Sequence, residues 1–240
     1  MSRKETAYKF LSEDVLRNSY LISRLEEGDI YLDDESNPKA VMVNNDNYIS
    51  MRGEVDILVD LIRDLKPDKY HFHSIDPVSF EAAGRYVKDI DDHPTWMMYR
   101  TEEAFGEPKT EVDELNLSDV PIINENWGPG EEGSSDYISH RIKEGPGYGI
   151  RKNGELVAWL LTHYITDSAI CLGFLHVKEE WRRNGFARDL TEVICNYAKD
   201  HELTPVVDIF QDNVASLSLS KSLGFKKIGE NHWFEGTIPE

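Results

Sequence analysis

One stretch constrains this chain more than any other. The apolar residues Leu172 to Val177 read as a strand. They lead through Lys178, Glu179, Glu180 and Trp181 into Arg182, Arg183, Asn184, Gly185, Phe186, Ala187 and Arg188, after which helical spacing continues to Lys199. A strand delivered into a helix at a glycine-bearing turn is an anion site. The first helical turn has unpaired N–H groups, and the helix dipole places partial positive charge there. Gly185 and the small Ala187 let a diphosphate approach the backbone, and Arg182, Arg183 and Arg188 add cations. The stretch lacks the Gly-Lys-Ser/Thr ending of a P-loop and the Gly-x-Gly-x-x-Gly dinucleotide pattern. The opposing reading is a charged, solvated helix start without a ligand.

Those local cations matter because the chain as a whole is acidic. Its 240 residues carry a formal net charge of −19, which argues against nucleic acid and anionic membranes as partners. Apolar residues make up 40% and charged residues 30%, and no apolar run approaches the ~20 residues that span a bilayer. Met1 to Thr6 lack the apolar core of a signal peptide. A cytoplasmic monomer or homodimer is the expectation. Cys171 and Cys195 have no metal-ligand spacing and are expected to be buried, reduced thiols.

Patterning divides the chain into a smaller N-terminal α/β domain, residues 1–105, and a larger domain, residues 106–240. The polar, aperiodic stretch Glu102 to Thr110, with Gly106 and Pro108, is the expected boundary. In the first half, helical spacing runs from Tyr8 to Leu25, Val55 to Leu65 and Pro77 to Lys88. Strand-like runs cover Ala40 to Val43, Tyr48 to Met51, Lys69 to Ser74 and Thr95 to Arg100, and Asp89 to His93 reads as a polar turn. In the second half the expected strands are Glu111 to Leu117, Gly147 to Arg151, Glu155 to Ile165, Ala169 to Val177, Val206 to Phe210 and Phe225 to Phe234. Helices are expected over Asp119 to Trp127, Ser134 to Lys143, Gly185 to Lys199 and Asn213 to Leu223, with a loop over 128–133. Asn153-Gly154 marks a tight hairpin. The fold class is α+β, a mixed, mostly antiparallel sheet with flanking helices.

The anion-site stretch resembles the acyl-CoA signature of the GNAT superfamily, Arg/Gln-x-x-Gly-x-Gly/Ala after a strand ending in Val, here Arg182, Gly185, Ala187 and Val177. Asn213 to Phe225 resembles the second signature, Asn-x-x-Ala/Ser-x-x-Leu-Tyr-x-x-Leu-Gly-Phe. Ile123 to Trp127, Ser135 to Ile138, Gly154 to Trp159 and Glu180 to Arg182 look like the two-domain glycine N-acyltransferase-like (FR47-like) group. The resemblance covers about Glu111 to Phe234 by motif, and the first half by architecture only.

The resemblance implies an acyl-CoA-dependent N-acyltransferase that moves an acetyl or other short acyl group to a primary amine of a small molecule or peptide. Acyl-CoA is the implied co-substrate, and no metal is implied. Leu175 and Val177 would pair with pantetheine, and the loop Arg182, Arg183, Asn184, Gly185, Phe186, Ala187 and Arg188 would hold the pyrophosphate. Asn213 would touch pantetheine or a catalytic water, and Ser216 and Lys221 would lie near the cofactor. The Val177 N–H is the candidate donor to the thioester carbonyl. Where the family carries a tyrosine acid this chain has Ser220, which would orient a water or leave the thiolate unprotonated. The acid that the group carries at the Cys171 position is missing. Asp208, where some relatives place a glutamate base, is the chosen base, ahead of His163, His176 and Cys171. Strand alternation puts Cys171, Gly173, Leu175 and Val177 on one face and His176 on the other unless a bulge intervenes. The rivals are an O-acyltransferase and a non-catalytic acyl-CoA-binding or sensory module. His71-x-His73 is a minimal metal pair without an evident third ligand. Trp96, Met97, Met98 and Tyr99 read as packing residues, and Trp127 as either core or acceptor-pocket wall.

Overall fold

The computed structural model describes residues 1–101, 105–127 and 133–240; the loop expected over 128–133, save Gly133, lies outside them. In chain order the first elements are α1 (Arg3–Leu11), α2 (Ser19–Arg24), β1 (Asp29–Leu32), β2 (Ala40–Asn45), β3 (Tyr48–Gly53), α3 (Val55–Arg63), β4 (Asp68–Ile75), α4 (Pro77–Tyr86) and β5 (Lys88–Tyr99). Then come β6 (Asp113–Glu114), α5 (Val120–Trp127), α6 (Ser134–Glu144), β7 (Tyr148–Lys152), β8 (Glu155–Ile165) and β9 (Ala169–Val177). The last are α7 (Phe186–Asp200), β10 (Thr204–Phe210), α8 (Val214–Ser222) and β11 (Lys226–Ile238). The fold is α+β with a mixed, mostly antiparallel sheet. In the described registers β3–β4 and β9–β10 run parallel, and β1–β2, β2–β3, β4–β11, β6–β7, β7–β8 and β8–β9 run antiparallel.

The chain divides into two compact units that interleave in sequence. The first is Met1–Met97 with Asp208–Asn213 and Lys227–Glu240; the second is Met98–Val207 with Val214–Lys226. This differs from a single cut at 105/106. Residues 102–104 of the expected linker lie outside the described residues, and the rest is fastened: the Gly106 N–H donates to Glu192 Oε2 on α7 at 2.9 Å, and the Thr110 N–H to Asp189 Oδ2 at 3.0 Å.

In the first unit the strand order is β1-β2-β3-β4-β11-β5. Leu58, Ile62, Ala82 and Ala83 of α3 and α4 pack with Met42, Met51, Phe72 and Phe234, while Ala7, Leu11 and Leu21 of α1 and α2 pack with Val41 and Val43. The helix expected from Tyr8 to Leu25 is therefore two helices joined by a 3-10 turn, Ser12–Asp14, with a Ser2/Glu5 capping box at the start. Asp89 to His93, expected as a turn, begin the long strand β5, where the Asp92 carboxylate takes an imidazole contact from His232 at 2.9 Å. Where β3 and β4 pair in parallel, Tyr48↔His71 and Ile49↔Phe72 are in register. Beyond them Arg52, only 5% exposed, bridges both strands, its Nη1 donating to Met51 O (2.8 Å) and Ser74 O (2.7 Å). Of the two histidines in His71-x-His73, His73 bonds Tyr20 Oη through Nδ1 (3.1 Å) and His71 lies 3.2 Å from Glu235. Burial, His71 and Arg24 push the His73 pKa down to about 3.

In the second unit the order is β10-β9-β8-β7-β6. The hairpin turn Asn153-Gly154 has φ of 53° and 83°, the left-handed pair expected of Asn-Gly. Val120, Ile123 and Ile138 of α5 and α6 cover Leu156, Trp159, Leu161 and Phe174 of the sheet. α7 buries Leu190, Ile194, Cys195 and Ala198. Cys171 and Cys195 are buried and form no disulfide, and burial pushes the Cys195 thiol up to about 12.

Candidate acyl-CoA site

β9 and α7 meet as the sequence predicts, and two features open the junction. The parallel ladder between β10 and β9 runs through Thr204↔Ala169, Pro205↔Ile170 and Val206↔Cys171. Past Cys171 the described register of β9 is with β8 alone. The Lys178 N–H donates to Val157 O (2.9 Å), which makes that antiparallel pair the hydrogen-bonded one. The adjacent pair, Ala158↔Val177, is then non-hydrogen-bonded, and the Val177 N–H and C=O point away from β8. That is the orientation required of a donor to a thioester carbonyl. The Val177 carbonyl also accepts from Arg182 Nε at 3.2 Å, so Arg182 sits at the same edge.

The second feature is the turn itself. Arg183 has φ 65° and Gly185 φ 84°. Gly185 is the N-cap of α7 and makes no side-chain cap bond. A Cβ placed there would meet nothing within 4 Å. Arg182, Arg183, Asn184, Gly185 and Arg188 are exposed. The Asn184 amide donates to Trp181 O (2.9 Å) and Arg182 O (3.3 Å), which holds the turn without covering α7. Phe186 is buried, with its ring near Trp181 and under Lys152; only its backbone can serve a ligand. Thr191 ties back to Ala187 O at 2.8 Å. Beneath, Arg100 and Glu192 form an ion pair at 2.8 Å with both side chains 1% exposed.

β9 does not keep a simple alternation. Trp159 faces His176 and Leu161 faces Gly173, so two steps on β8 match three on β9. The extra residue falls at Phe174–Leu175, and Phe174 has φ 57°. This bulge is the exception that the alternation argument allowed for, and it overturns the simple facing expected of β9. It brings His176 onto the face of Gly173 and leaves Val177, opposite Ala158, on the other. His176 stacks on Trp159, with ring centroids 4.5 Å apart, and burial, Arg182 and Lys178 lower its pKa. A compensating irregularity between Thr162 and Tyr164 carries His163, whose ring lies against Gly173. Sequence reasoning named His163 but had no signal for either bulge.

The other expected residues are placed as follows. Ser220 is buried on α8, Ser216 is partly buried and Lys221 exposed. Asp208 and Asn213 are counted with the first unit. There Asp208 Oδ1 accepts from Asn231 Nδ2 (3.0 Å) and Thr95 Oγ1 (3.2 Å), and Arg17 donates to Asn231 Oδ1 and Glu230 O. Burial raises the Asp208 pKa, opposed by Asn231, Thr95, Arg17 and Arg52. Among the described residues no group of three His, Cys, Asp or Glu is placed to hold a metal, and no helix is long and apolar enough to cross a membrane.

Residues 147–234, which include β9, the turn and α8, match the family described as FR47-like protein. The chain is also similar to solved structures of the GNAT fold. A Drosophila protein superposes with TM-score 0.66 at 19% identity, over 83% of this chain and 74% of that one. A GCN5-related N-acetyltransferase from Kribbella flavida gives TM-score 0.66 at 9% identity, over 94% and 95%. A GNAT-family acetyltransferase from Colwellia psychrerythraea gives 0.59 at 13%, over 95% and 97%. At these identities the likeness establishes the fold. Comparison with curated proteins finds no match.

Proposed function

We propose that the chain is an acyl-CoA-dependent N-acyltransferase that moves an acetyl or other short acyl group to a primary amine of a small molecule or peptide, in the cytoplasm. The observation that carries this reading is the start of α7, open at Gly185 in a turn that carries the exposed Arg182, Arg183 and Arg188, beside the stretch of β9 that lies past its described register with β10. These residues fit the group that the match to the FR47-like family implies. The exposed N–H groups of the first turn of α7 and the side chains of Arg182, Arg183 and Arg188 would hold a pyrophosphate. Leu175 and Val177 would offer backbone partners to pantetheine. Acyl-CoA supplies the activated carbonyl. The Val177 N–H, directed away from β8, would polarise it without reorganisation. Asn213, Ser216 and Lys221 would border the cofactor and Ser220 would orient a water at the departing sulfur; Asp208 is the base taken from the sequence. No binding of nucleic acid, membrane or metal forms part of this reading.

Calorimetry with acetyl-CoA tests it. Wild type should bind, and Arg182→Ala combined with Gly185→Glu should weaken binding at least about tenfold, the loss of roughly 1.4 kcal/mol or more. Unchanged affinity would refute the assigned turn. Release of free CoA thiol with a panel of amines separates the enzyme from a binding module, which would bind without amine-dependent release.

A further inference from the structure

The first unit has a cavity of its own, of about 690 Å³, beside the junction of β3 and α3. Small-molecule clefts span roughly 300–1,000 Å³. The junction repeats the plan of β9 and α7: a strand in parallel register with its neighbour, β4 here and β10 there, runs through a glycine into a helix. The chemistry differs. Glu54 and Asp56 follow Gly53, where the second unit has Arg182, Arg183 and Arg188, and Arg52 ties β3 to β4. The carboxylates would repel a diphosphate, so this cavity suits another ligand.

Its walls are held in place. Gly53 has φ 149°, and a Cβ there would come within 2.5 Å of Ala40 Cα and Lys39 O. Only glycine lets the connection between β1 and β2 lie against this junction, where the Glu54 N–H donates to Lys39 O at 3.1 Å. Within the connection Asp33 Oδ1 accepts from the N–H groups of Lys39 and Ala40 at 2.9 and 3.0 Å. Asp34 Oδ1 accepts from those of Ser36 and Asn37 at 2.7 and 2.8 Å. Thr6 Oγ1 of α1 donates to Glu35 O at 3.1 Å, which joins the helical wall to this one. Walls fixed in advance lower the cost of ordering on binding.

Lys9, Glu13, Lys39 and Glu54 line the cavity. Lys39 and Glu54 offset each other at 3.5 Å. Lys9 of α1 and Glu13 of the following 3-10 turn are four residues apart, the spacing that puts both on one side. They form no ion pair with each other or with any other described residue. Phe10, Pro38 and Val78, the last 49% exposed, add apolar surface. One cation and one anion held apart beside apolar surface complement a molecule that carries the opposite pair on one carbon together with an apolar group.

We propose that this cavity binds a free α-amino acid with an apolar side chain, its carboxylate on Lys9, its ammonium on Glu13 and its side chain against Phe10, Pro38 and Val78. Both polar contacts are charge-assisted. The site uses the first unit alone and does not depend on the acyltransferase reading.

The test uses the full chain without acyl-CoA and L-leucine as the probe. Its analogues 4-methylpentanoate and 3-methylbutylamine lack the ammonium and the carboxylate respectively. By calorimetry wild type should bind leucine with Kd below about 1 mM, and each analogue at least about tenfold more weakly. Lys9→Glu and Glu13→Lys should each weaken leucine at least about tenfold. The two changes together should restore much of the affinity, because a zwitterion can enter the other way round. A merely structural role would not recover when the signs are exchanged. A wild type that ignores leucine, or binds either analogue as well, overturns the proposal. Leucine affinity that both single variants leave unchanged overturns it too, and places the amino acid at another site, such as that of an amine acceptor. If those variants fail to fold, leucine titrations of wild type in which the NMR amide signals of residues 9–13 and 36–39 stay still overturn it as well.

Discussion

Asp208 is fixed at one oxygen by two donors, Asn231 Nδ2 and Thr95 Oγ1, inside a polar network that also contains Arg17. Its raised pKa, caused first by burial, has a consequence for stability with a definite sign. An aspartate whose folded pKa lies above the unfolded value of about 3.9 favours the fold while protonated. That contribution is complete below the unfolded pKa and lost as pH rises through the folded one. Asp208→Asn, which cannot ionise, should therefore gain melting temperature relative to wild type as pH is raised from about 4 to 7. A difference that stays constant across that range would mean that Asp208 ionises at no cost. At this scale the sequence was partly readable. The turn residues Arg182 to Arg188 could be named because glycine and arginine at a helix start have few uses. The partners of Asp208 could not, since Thr95 and Asn231 are brought to it by β5 and β11, far away in the chain.

At the scale of elements, α7 is held by carboxylates on its buried side. Glu192 pairs with Arg100 and accepts from the Gly106 N–H, and Asp189 accepts from the Thr110 N–H. Removing one partner of a buried pair strands the other charge and costs about 3–5 kcal/mol. Arg100→Met should lower unfolding free energy by that order and speed amide exchange in the first turns of α7. Exchange unchanged there would show that the pair supports something else. Strands and helices were legible wherever period and punctuation agreed: β8 and β9 begin and end at their expected residues, and Asn153-Gly154 makes its turn. β1 escaped notice because four residues, Asp29–Leu32, carry too little pattern. The bulge at Phe174–Leu175 escaped because nothing in Leu172 to Val177 distinguishes a bulged strand from a straight one. That bulge is what moves His176 and frames His163.

At the scale of the whole molecule, the two units are not consecutive pieces of chain. β11 pairs with β4 from His232↔Ile75 to Ile238↔Asp68, and Phe234 and Ile238 belong to the core of the first unit. Residues 1–105 expressed alone should therefore stay unfolded by circular dichroism, because β4 lacks its neighbour and the core lacks two of its apolar side chains. A cooperative melt of that fragment would show that β11 is dispensable. No local pattern announces a partner strand more than 150 residues away in the chain, which is why a single cut was the natural reading of the sequence.

This interleaving also orders events during synthesis. The ribosome makes every residue of the second unit, Met98 to Lys226, before it makes Lys227–Glu240. The half that is translated first is thus the half that must wait, its β4 edge unsatisfied and open to wrong partners, until the last strand emerges.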